Sequence, residues 1–347
     1  MLSALATAYL FVGGSGAGAL FVSQVVDALW VKPSSAEVRA LGVAEQRPVD
    51  RVVSLSSLFG TTAIAFGIAC LVFDLGRVDR ALFLFLSPTM SFMTLGAFSL
   101  AVLFACAFAL SVVRCAYVPW FPAPLLGLLR ALTMAASLVV MAYTGLLLMS
   151  VRGVAFWGTA LVPALFVASS LSCGLALMLV AASLAERDAQ TSWLLRRIAL
   201  CDAVIVTVEL AVAVSFLFVS LSSDHPARVA SAAALIDDYG TAWWGGFFAC
   251  GMIVPLAIEV AAIVRMLEPS WERESFPRTG VMLLVAAAVL AGGACMRAGV
   301  VESGQHRDLE LQPVEAVASS DDVRAAVAPS SFTYDGIDDD QAREDGR

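Results

Sequence analysis

The membrane-length hydrophobic segments of this chain contain no histidine. The sequence has two histidines among its 347 residues, His225 and His306, and both lie outside those segments. A haem that is held between helices is commonly ligated by imidazole side chains. The sequence therefore excludes a haem bound in this way, and we expect any redox or ion chemistry of the chain to proceed without one.

Charge is also scarce, since 14% of the residues are charged and 60% are hydrophobic. This composition is too apolar for a soluble fold, in which much of the surface must be polar. The seven cysteines include no pair at C-x-x-C spacing, which argues against an iron–sulfur cluster or a zinc site. We therefore predict a membrane protein with no metal of its own. Nothing in the sequence indicates nucleic-acid binding.

Eight segments are long enough to cross a bilayer, which takes about 20 mostly apolar residues in a helix. They are residues 4–30, 52–73, 85–113, 127–150, 154–184, 194–221, 241–264 and 279–300. No lysine or arginine precedes the first segment, and its apolar stretch is too long for a signal peptide, so we expect it to be retained. The predicted fold class is an all-α integral membrane protein, an eight-transmembrane-helix bundle.

The formal charge of −8 arises at the end of the chain. Residues 302–347 contain twelve Asp and Glu against four Arg, whereas residues 1–301 are balanced at 17 against 17. An excess of like charge with few apolar residues is typical of disorder. We therefore predict a membrane domain over residues 1–301 and an acidic, disordered tail over residues 302–347.

The loops between the segments differ in positive charge. The first, third, fifth and seventh loops hold twelve Lys and Arg, and the opposite side holds six at most, with Arg297 and Arg307 near the tail among them. Cytoplasmic loops are enriched in Lys and Arg. The odd-numbered loops are therefore predicted to face the cytoplasm, with the N and C termini both outside.

Four acidic side chains lie within or near the ends of the segments, where ionisable groups usually face a bundle interior or a water-filled path. Asp202 and Glu209 in the sixth segment are seven residues apart, so they lie on nearly one helix face. Asp27 and Glu259 lie near the cytoplasmic ends of the first and seventh segments. One interpretation is a carboxylate path that admits protons from the cytoplasm. The other is structural, with two local ion pairs, Asp27–Lys32 and Glu259–Arg265.

A second constellation lies toward the outside. Asp74 and Arg77 are three residues apart at the end of the second segment, close enough to pair or to converge on a ligand. Tyr143 lies about 10 Å below the end of the fourth segment at the helical rise, and Tyr9 has a similar depth in the first. A phenol in an apolar cleft can donate a hydrogen bond to a quinone carbonyl. The alternatives are an interhelical hydrogen bond for Tyr143 and a loop-anchoring salt bridge between Asp74 and Arg77.

The first segment contains the run Gly13-Gly14-Ser15-Gly16-Ala17-Gly18. Gly14 and Gly18 form a G-x-x-x-G pair, which lets helix backbones approach closely. A dinucleotide-binding fingerprint is excluded, because the run lies inside an apolar span and no strand precedes it. We expect it to pack against neighbouring helices.

Motifs over nearly all of residues 4–305 resemble a known family, the NrfD/polysulfide-reductase-type membrane subunits of molybdopterin and related oxidoreductase complexes. The motifs that carry the resemblance are Asp74-Leu-Gly-Arg77 with Arg80, Ser87-Pro-Thr-Met-Ser91 with Gly96, Tyr143-Thr-Gly-Leu-Leu-Leu-Met-Ser150, Phe156-Trp157, Pro163-Ala-Leu-Phe166 and Ser172-Cys-Gly174, with weaker support from Glu209, Gly251 to Pro255 and Arg297. The sequence departs from the family at Val78, where proline is frequent, and in its acidic tail.

The resemblance implies a haem-free, eight-helix anchor in the bacterial cytoplasmic (inner) membrane that exchanges electrons with the menaquinone pool near the outer face. It also implies an iron–sulfur subunit docked there and an exported molybdopterin catalytic subunit, which would carry out the terminal-substrate catalysis. Tyr143 and Asp74 match quinone-site residues of the family.

Two other classes stay open from the sequence. A secondary transporter or other ion-translocating membrane protein would use similar buried carboxylates, although no convincing internal repeat is present. A purely structural anchor would tether partner subunits to the membrane without a quinone site.

Overall fold

The computed structural model describes residues 3–29, 48–74, 92–115, 122–151, 153–185, 189–266 and 279–305. All of them belong to the first of two compact units, residues 1–307; the second, residues 308–347, lies outside the described residues, as does most of the predicted acidic tail. The regular structure of the described residues is entirely helical. Its elements are α1 (Ala4–Leu29), α2 (Pro48–Asp74), α3 (Phe92–Cys115), α4 (Ala123–Met149), α5 (Leu161–Ser183), α6 (Ala189–Leu221), α7 (Pro226–Asp237), π1 (Thr241–Ile253), α8 (Val254–Met266) and α9 (Thr279–Gln305).

The predicted eight spans are confirmed, since the described residues contain eight helical stretches that are long and apolar enough to cross a membrane. Several of them differ from the predicted bounds, and α2, α4 and α6 begin four or five residues earlier than expected. The fifth was expected from residue 154 but begins at Leu161, because a short 3-10 turn (Ala155–Trp157) precedes it. The seventh comprises π1 followed by α8, and the eighth continues beyond residue 300 to Gln305. Residues 85–91 of the predicted third span lie outside the described residues.

Contacts between distant residues define two ends of the bundle. The Ser3 hydroxyl at the start of α1 donates a hydrogen bond to Asp74 at the end of α2. Trp157, just before α5, donates its indole N–H to the carbonyl oxygen of Val300 in α9 over 2.9 Å. We call this side the terminal end. The opposite side, where α1 and α3 end and α4 begins, is the far end.

The glycines of α1 bring it against two neighbouring helices, as the G-x-x-x-G pair predicts. A Cβ on Gly18 would overlap the backbone carbonyl of Ser170 in α5, and one on Gly174 would lie 2.6 Å from the backbone nitrogen of Ala19. On another face, a Cβ on Gly16 would lie 3.0 Å from the carbonyl oxygen of Gly60 in α2. Backbones this close require glycine, so α1 is wedged between α2 and α5.

The thirteen-residue π-helix π1 is a feature that the sequence did not predict. It precedes Pro255, which has no N–H for the α-helical hydrogen bond to the carbonyl of Gly251, and this loss favours wider turns. Gly251 also approaches α9, because a Cβ there would lie 2.6 Å from the Cα of Gly292.

The bundle presents large apolar side chains outward and holds polar ones inside. Phe73 and Phe218 are 74% and 69% exposed, as expected for side chains that face lipid. In contrast, Asp202 and Arg297 are fully buried. Buried charges in a membrane bundle mark the region in which to look for function.

Candidate functional site

Arg297 of α9 lies inside the bundle with its guanidinium hydrogen-bonded on several sides. One terminal nitrogen donates to Ser169 Oγ at 3.0 Å and to the Gly293 carbonyl at 3.1 Å. The other donates to Ser170 Oγ at 2.8 Å and to the Phe166 carbonyl at 3.4 Å. The Phe166 ring also lies against the guanidinium, with its centroid 5.3 Å from Cζ. These contacts hold the positive charge in one position.

The sequence interpretation assigned Arg297 to the region near the tail, and this assignment was wrong. Because α9 continues to Gln305, Arg297 lies eight residues inside its end, about 12 Å at the helical rise. The sequence signal that could have shown this is the apolar pair Val300-Val301, which follows the arginine and indicates that the span continues. Both valines are fully buried in the structure.

Glu209 of α6 faces the same region and is buried. Its carboxyl group lies beside Ser169 and interacts electrostatically with Arg297. Ser169 therefore connects the carboxyl group to the guanidinium, since it accepts a hydrogen bond from Arg297. Cys173, one turn along α5, interacts with both charged groups.

Asp202 and Glu259 form a second acidic group. Ser172 donates a hydrogen bond of 3.1 Å to Asp202 Oδ1, and the carboxyl groups of Asp202 and Glu259 interact with one another. Asp202 Oδ2 and both carboxyl oxygens of Glu259 have no hydrogen-bond partner of normal geometry among the described residues. Two neighbouring carboxylates repel one another when both are ionised, so such a pair is suited to sharing a proton.

These groups form one continuous set along α5, which we call the polar core. Sequence spacing predicted that Asp202 and Glu209 share a face, and both point into the bundle. The positions of Glu259 and Arg297 beside them depend on contacts between helices. The polar core consists of Ser169, Ser170, Ser172, Cys173, Asp202, Glu209, Glu259 and Arg297.

Asp27 belongs to a different set of contacts at the far end. Its carboxylate pairs with Arg114 of α3 at 2.8 Å and with Arg130 of α4 at 2.7 Å. The structural alternative from the sequence paired Asp27 with Lys32, which lies outside the described residues. The long-range pairs instead tie together three helices.

Tyr9 and Tyr143 meet between the first four helices, near the terminal end. Both are buried, and their phenol groups interact. Even so, Tyr9 Oη has no hydrogen-bond partner of normal geometry among the described residues. The Tyr143 ring lies on Gly96 of α3, and the Tyr9 ring lies beside Gly67 of α2, where a Cβ would be 3.6 Å from it. Glycines thus provide the space in which the two rings lie.

Asp74 lies nearer the membrane surface than the tyrosines. Gly67 beside Tyr9 is seven residues before Asp74 in α2, which places the carboxylate about 10 Å closer to the terminal end. The hydrogen bond from Ser3 fixes Asp74 beside the start of α1. Arg77 lies outside the described residues, so its predicted pairing with Asp74 stays a prediction.

The tyrosine pair fits a ligand with a hydrogen-bond acceptor and an apolar body, such as a quinone. Tyr9 Oη is buried and has no partner of normal geometry in the described ranges, whereas buried hydroxyl groups are normally hydrogen-bonded. The adjacent walls are glycine backbone and apolar side chains of α1 to α4, the lining expected of such a site. Among the described residues no group of His, Cys, Asp and Glu could hold a metal ion.

These features define a multi-pass helical membrane protein with a buried charged core and a pair of tyrosines near one membrane surface. Comparison with known families matches residues 3–307 to "Polysulphide reductase, NrfD". The chain belongs to this family, and the resemblance seen in its motifs is confirmed.

Two curated proteins show the same relationship. The sequence is 27% identical over 314 residues to the C chain of the polysulfide reductase of Wolinella succinogenes, a match that covers 86% of this protein and 92% of that one. It is 29% identical over 181 residues to protein NrfD of Escherichia coli (strain K12), covering 51% of this protein and 52% of that one.

Proposed function

We propose that this protein is the quinone-reactive membrane subunit of an oxidoreductase complex in the bacterial cytoplasmic membrane. It binds menaquinone or another quinone beside Tyr9 and Tyr143 and exchanges electrons with an iron–sulfur subunit docked at the terminal end. The catalytic subunit, of the molybdopterin type, acts on the terminal substrate. The Wolinella relative is named as one lettered chain of a reductase, which supports a place in a complex of several subunits.

The observation that carries this proposal is the tyrosine pair, in which the buried Tyr9 hydroxyl has no hydrogen-bond partner of normal geometry within the part of the chain that the structure describes. Tyr143 and Tyr9 each hold a phenol proton with which to orient a ligand carbonyl. A bound quinone supplies chemistry that couples two electrons to two protons. Asp74, nearer the surface, holds or accepts a proton at its carboxylate. Arg77 is proposed to adjust the proton affinity of this carboxylate.

We further propose that the terminal end faces the outside and that protons enter from the cytoplasmic far end. The loop charges support this orientation. The polar core then leads inward from Glu259 and Asp202 to Glu209, with Ser172 hydrogen-bonded to Asp202 and Ser169 beside Glu209. Asp27 is the proposed entry group, held at the far end by its arginines.

The test uses the assembled complex and a water-soluble quinol analogue. Tyr143→Phe and Asp74→Asn are each expected to lower quinol-linked turnover about tenfold, the effect of losing one hydrogen bond or proton acceptor. Tyr239→Phe, outside the tyrosine pair, serves as the control.

The decisive readouts are assembly and turnover of each variant in the same preparation. Unchanged turnover in both Tyr143→Phe and Asp74→Asn would show that the quinone site does not lie in this region. If the wild-type complex shows no quinone binding in a fluorescence titration, the protein is a purely structural anchor.

A further inference from the structure

The polar core has a definite boundary on the side of the terminal end. Along α6 the backbone runs from the far end toward the terminal end, so Glu209 lies two turns beyond Asp202, about 10 Å at the helical rise. Arg297 interacts with Glu209 and contacts α5 through Phe166, Ser169 and Ser170. The guanidinium also reaches the carbonyl of Phe166, one turn of α5 nearer the terminal end than Ser169, and so bounds the polar core on that side.

On the terminal side of Arg297 lie buried aromatic and apolar side chains, together with the buried hydroxyl groups of Ser220 and Ser303. Phe216 lies seven residues past Glu209 on α6, is fully buried, and packs against Phe156 with ring centroids 5.0 Å apart and ring planes tilted by 58°. On α9, the next buried turn contains Val300, whose carbonyl accepts the indole N–H of Trp157. We call Phe156, Trp157, Phe216 and Val300 the aromatic layer. A proton that left Glu209 toward the terminal end would meet the fixed guanidinium and then this layer.

The charge of Arg297 is suited to act as a barrier. Its terminal nitrogens are bonded to four oxygen atoms, so it cannot easily swing away. A fixed positive charge in a low-dielectric interior repels any proton that moves as a cation. Ionised Glu209 offsets part of that charge, and protonation of Glu209 removes the offset. The barrier is thus highest when a proton has just arrived.

The other groups around Glu209 do not remove the positive charge that a proton would meet at Arg297. Among the described residues that interact with it, Asp202 lies on its own helix toward the far end and Cys173 on α5. Glu259 on α8 pairs with Asp202. Arg297 is the positively charged group of the polar core that interacts with Glu209.

We propose that Arg297, backed by the aromatic layer, closes the polar core toward the terminal end, so that protons taken up from the far end reach Glu209 but do not cross the membrane. This barrier rests on the proton-uptake part of the proposed function. It assigns Arg297 a role in retaining protons, in addition to its structural contacts.

The experiment measures passive proton conductance of the full-length protein in sealed liposomes that contain a pH-sensitive dye. A potassium diffusion potential set by valinomycin drives the protons. Arg297→Gln is expected to raise the conductance at least about fivefold over the wild type, whereas Arg297→Lys, which keeps the charge, stays near the wild type. Arg197→Gln, an exposed arginine at the start of α6, serves as the matched control.

A second substitution separates a path through Glu209 from a general leak. Arg297→Gln combined with Glu209→Gln is expected to return the conductance to near the wild-type value, because the carboxyl group that delivers the proton is gone. Release of trapped carboxyfluorescein should not change in any variant. Conductance of folded Arg297→Gln within twofold of the wild type, or an equal leak in the double variant, overturns the proposal.

Phe216→Ala keeps Arg297 in place and removes a ring from the aromatic layer. This variant tests the barrier if Arg297→Gln does not fold. A rise in proton conductance supports the barrier, and an unchanged value overturns it. The liposome assay requires no partner subunit and no quinone. Failure of the barrier is therefore distinguishable from failure of the proposed function, which is measured as turnover of the complex.

Discussion

The aromatic ring of Tyr143 in α4 lies directly on the backbone of Gly96 in α3, leaving no room for a side chain at that position. The ring is buried on its other side by the rest of the bundle. The position of the phenol hydroxyl near Tyr9 therefore depends on a glycine in a neighbouring helix. This relationship links helix packing to the proposed quinone site.

Gly96→Ala is expected to displace the Tyr143 ring and to lower quinol-linked turnover about tenfold, with a loss of stability of about 1–3 kcal/mol from overpacking. Gly127→Ala is the matched control, because a Cβ there would meet nothing within 4 Å. Turnover of the assembled complex and its thermal midpoint are measured together. Full activity in Gly96→Ala would show that the position of the ring is not important for turnover.

Glu209→Gln removes the carboxyl group at the inner end of the proposed proton path but keeps its shape. Turnover, or proton uptake at the far end measured with a dye on that side, is expected to fall about tenfold or more, as for loss of a proton-transferring group. Glu302→Gln, exposed near the end of α9, should behave as the wild type. Wild-type values for both measurements in Glu209→Gln would assign this residue a structural role.

Asp27→Asn breaks two ion pairs that join three helices at the far end. The expected loss of stability is about 2 kcal/mol, below the range for a fully buried pair because Arg130 is 27% exposed. Thermal unfolding of the purified protein checks this value against Asp237→Asn, whose side chain is exposed. A midpoint equal to that of the control would mean that solvent screens these pairs completely.

Gly18→Ala tests the contact between α1 and α5. The added methyl would overlap the Ser170 carbonyl, and backbone can relieve this overlap only by moving a helix, so we expect destabilisation of about 3 kcal/mol. Gly245→Ala, where a Cβ would meet no atom within 4 Å, should leave the thermal midpoint nearly unchanged. Equal midpoints for the two variants would contradict the close packing.

The spans and the glycine contact were predictable because both depend on local sequence. A run of apolar residues sets a span, and two glycines four residues apart set a smooth helix face, as at Gly14 and Gly18. The partner of Asp27 was not predictable in this way. Its arginines lie 87 and 103 positions further along the sequence, and no local spacing indicates which helices are neighbours.

In the polar core, too, the local relationships were predictable from the sequence and the contacts between helices were not. The shared face of Asp202 and Glu209 follows from helical periodicity within one segment. The pairing of Asp202 with Glu259 and the place of Arg297 beside Glu209 depend on how α6, α8 and α9 pack. The π-helix before Pro255 was also missed, since hydropathy does not distinguish π from α turns.

Arg297 constrains how the protein is made. An arginine at the centre of an isolated helix costs about 2.5–3.5 kcal/mol on insertion by the translocon. Three of its four hydrogen-bond acceptors belong to α5, and the fourth is on α9 itself. Because α5 is synthesised before α9, the nascent bundle must keep the serine face of α5 accessible until α9 leaves the ribosome. The guanidinium of Arg297 therefore gains most of its hydrogen bonds only when α9 packs against α5.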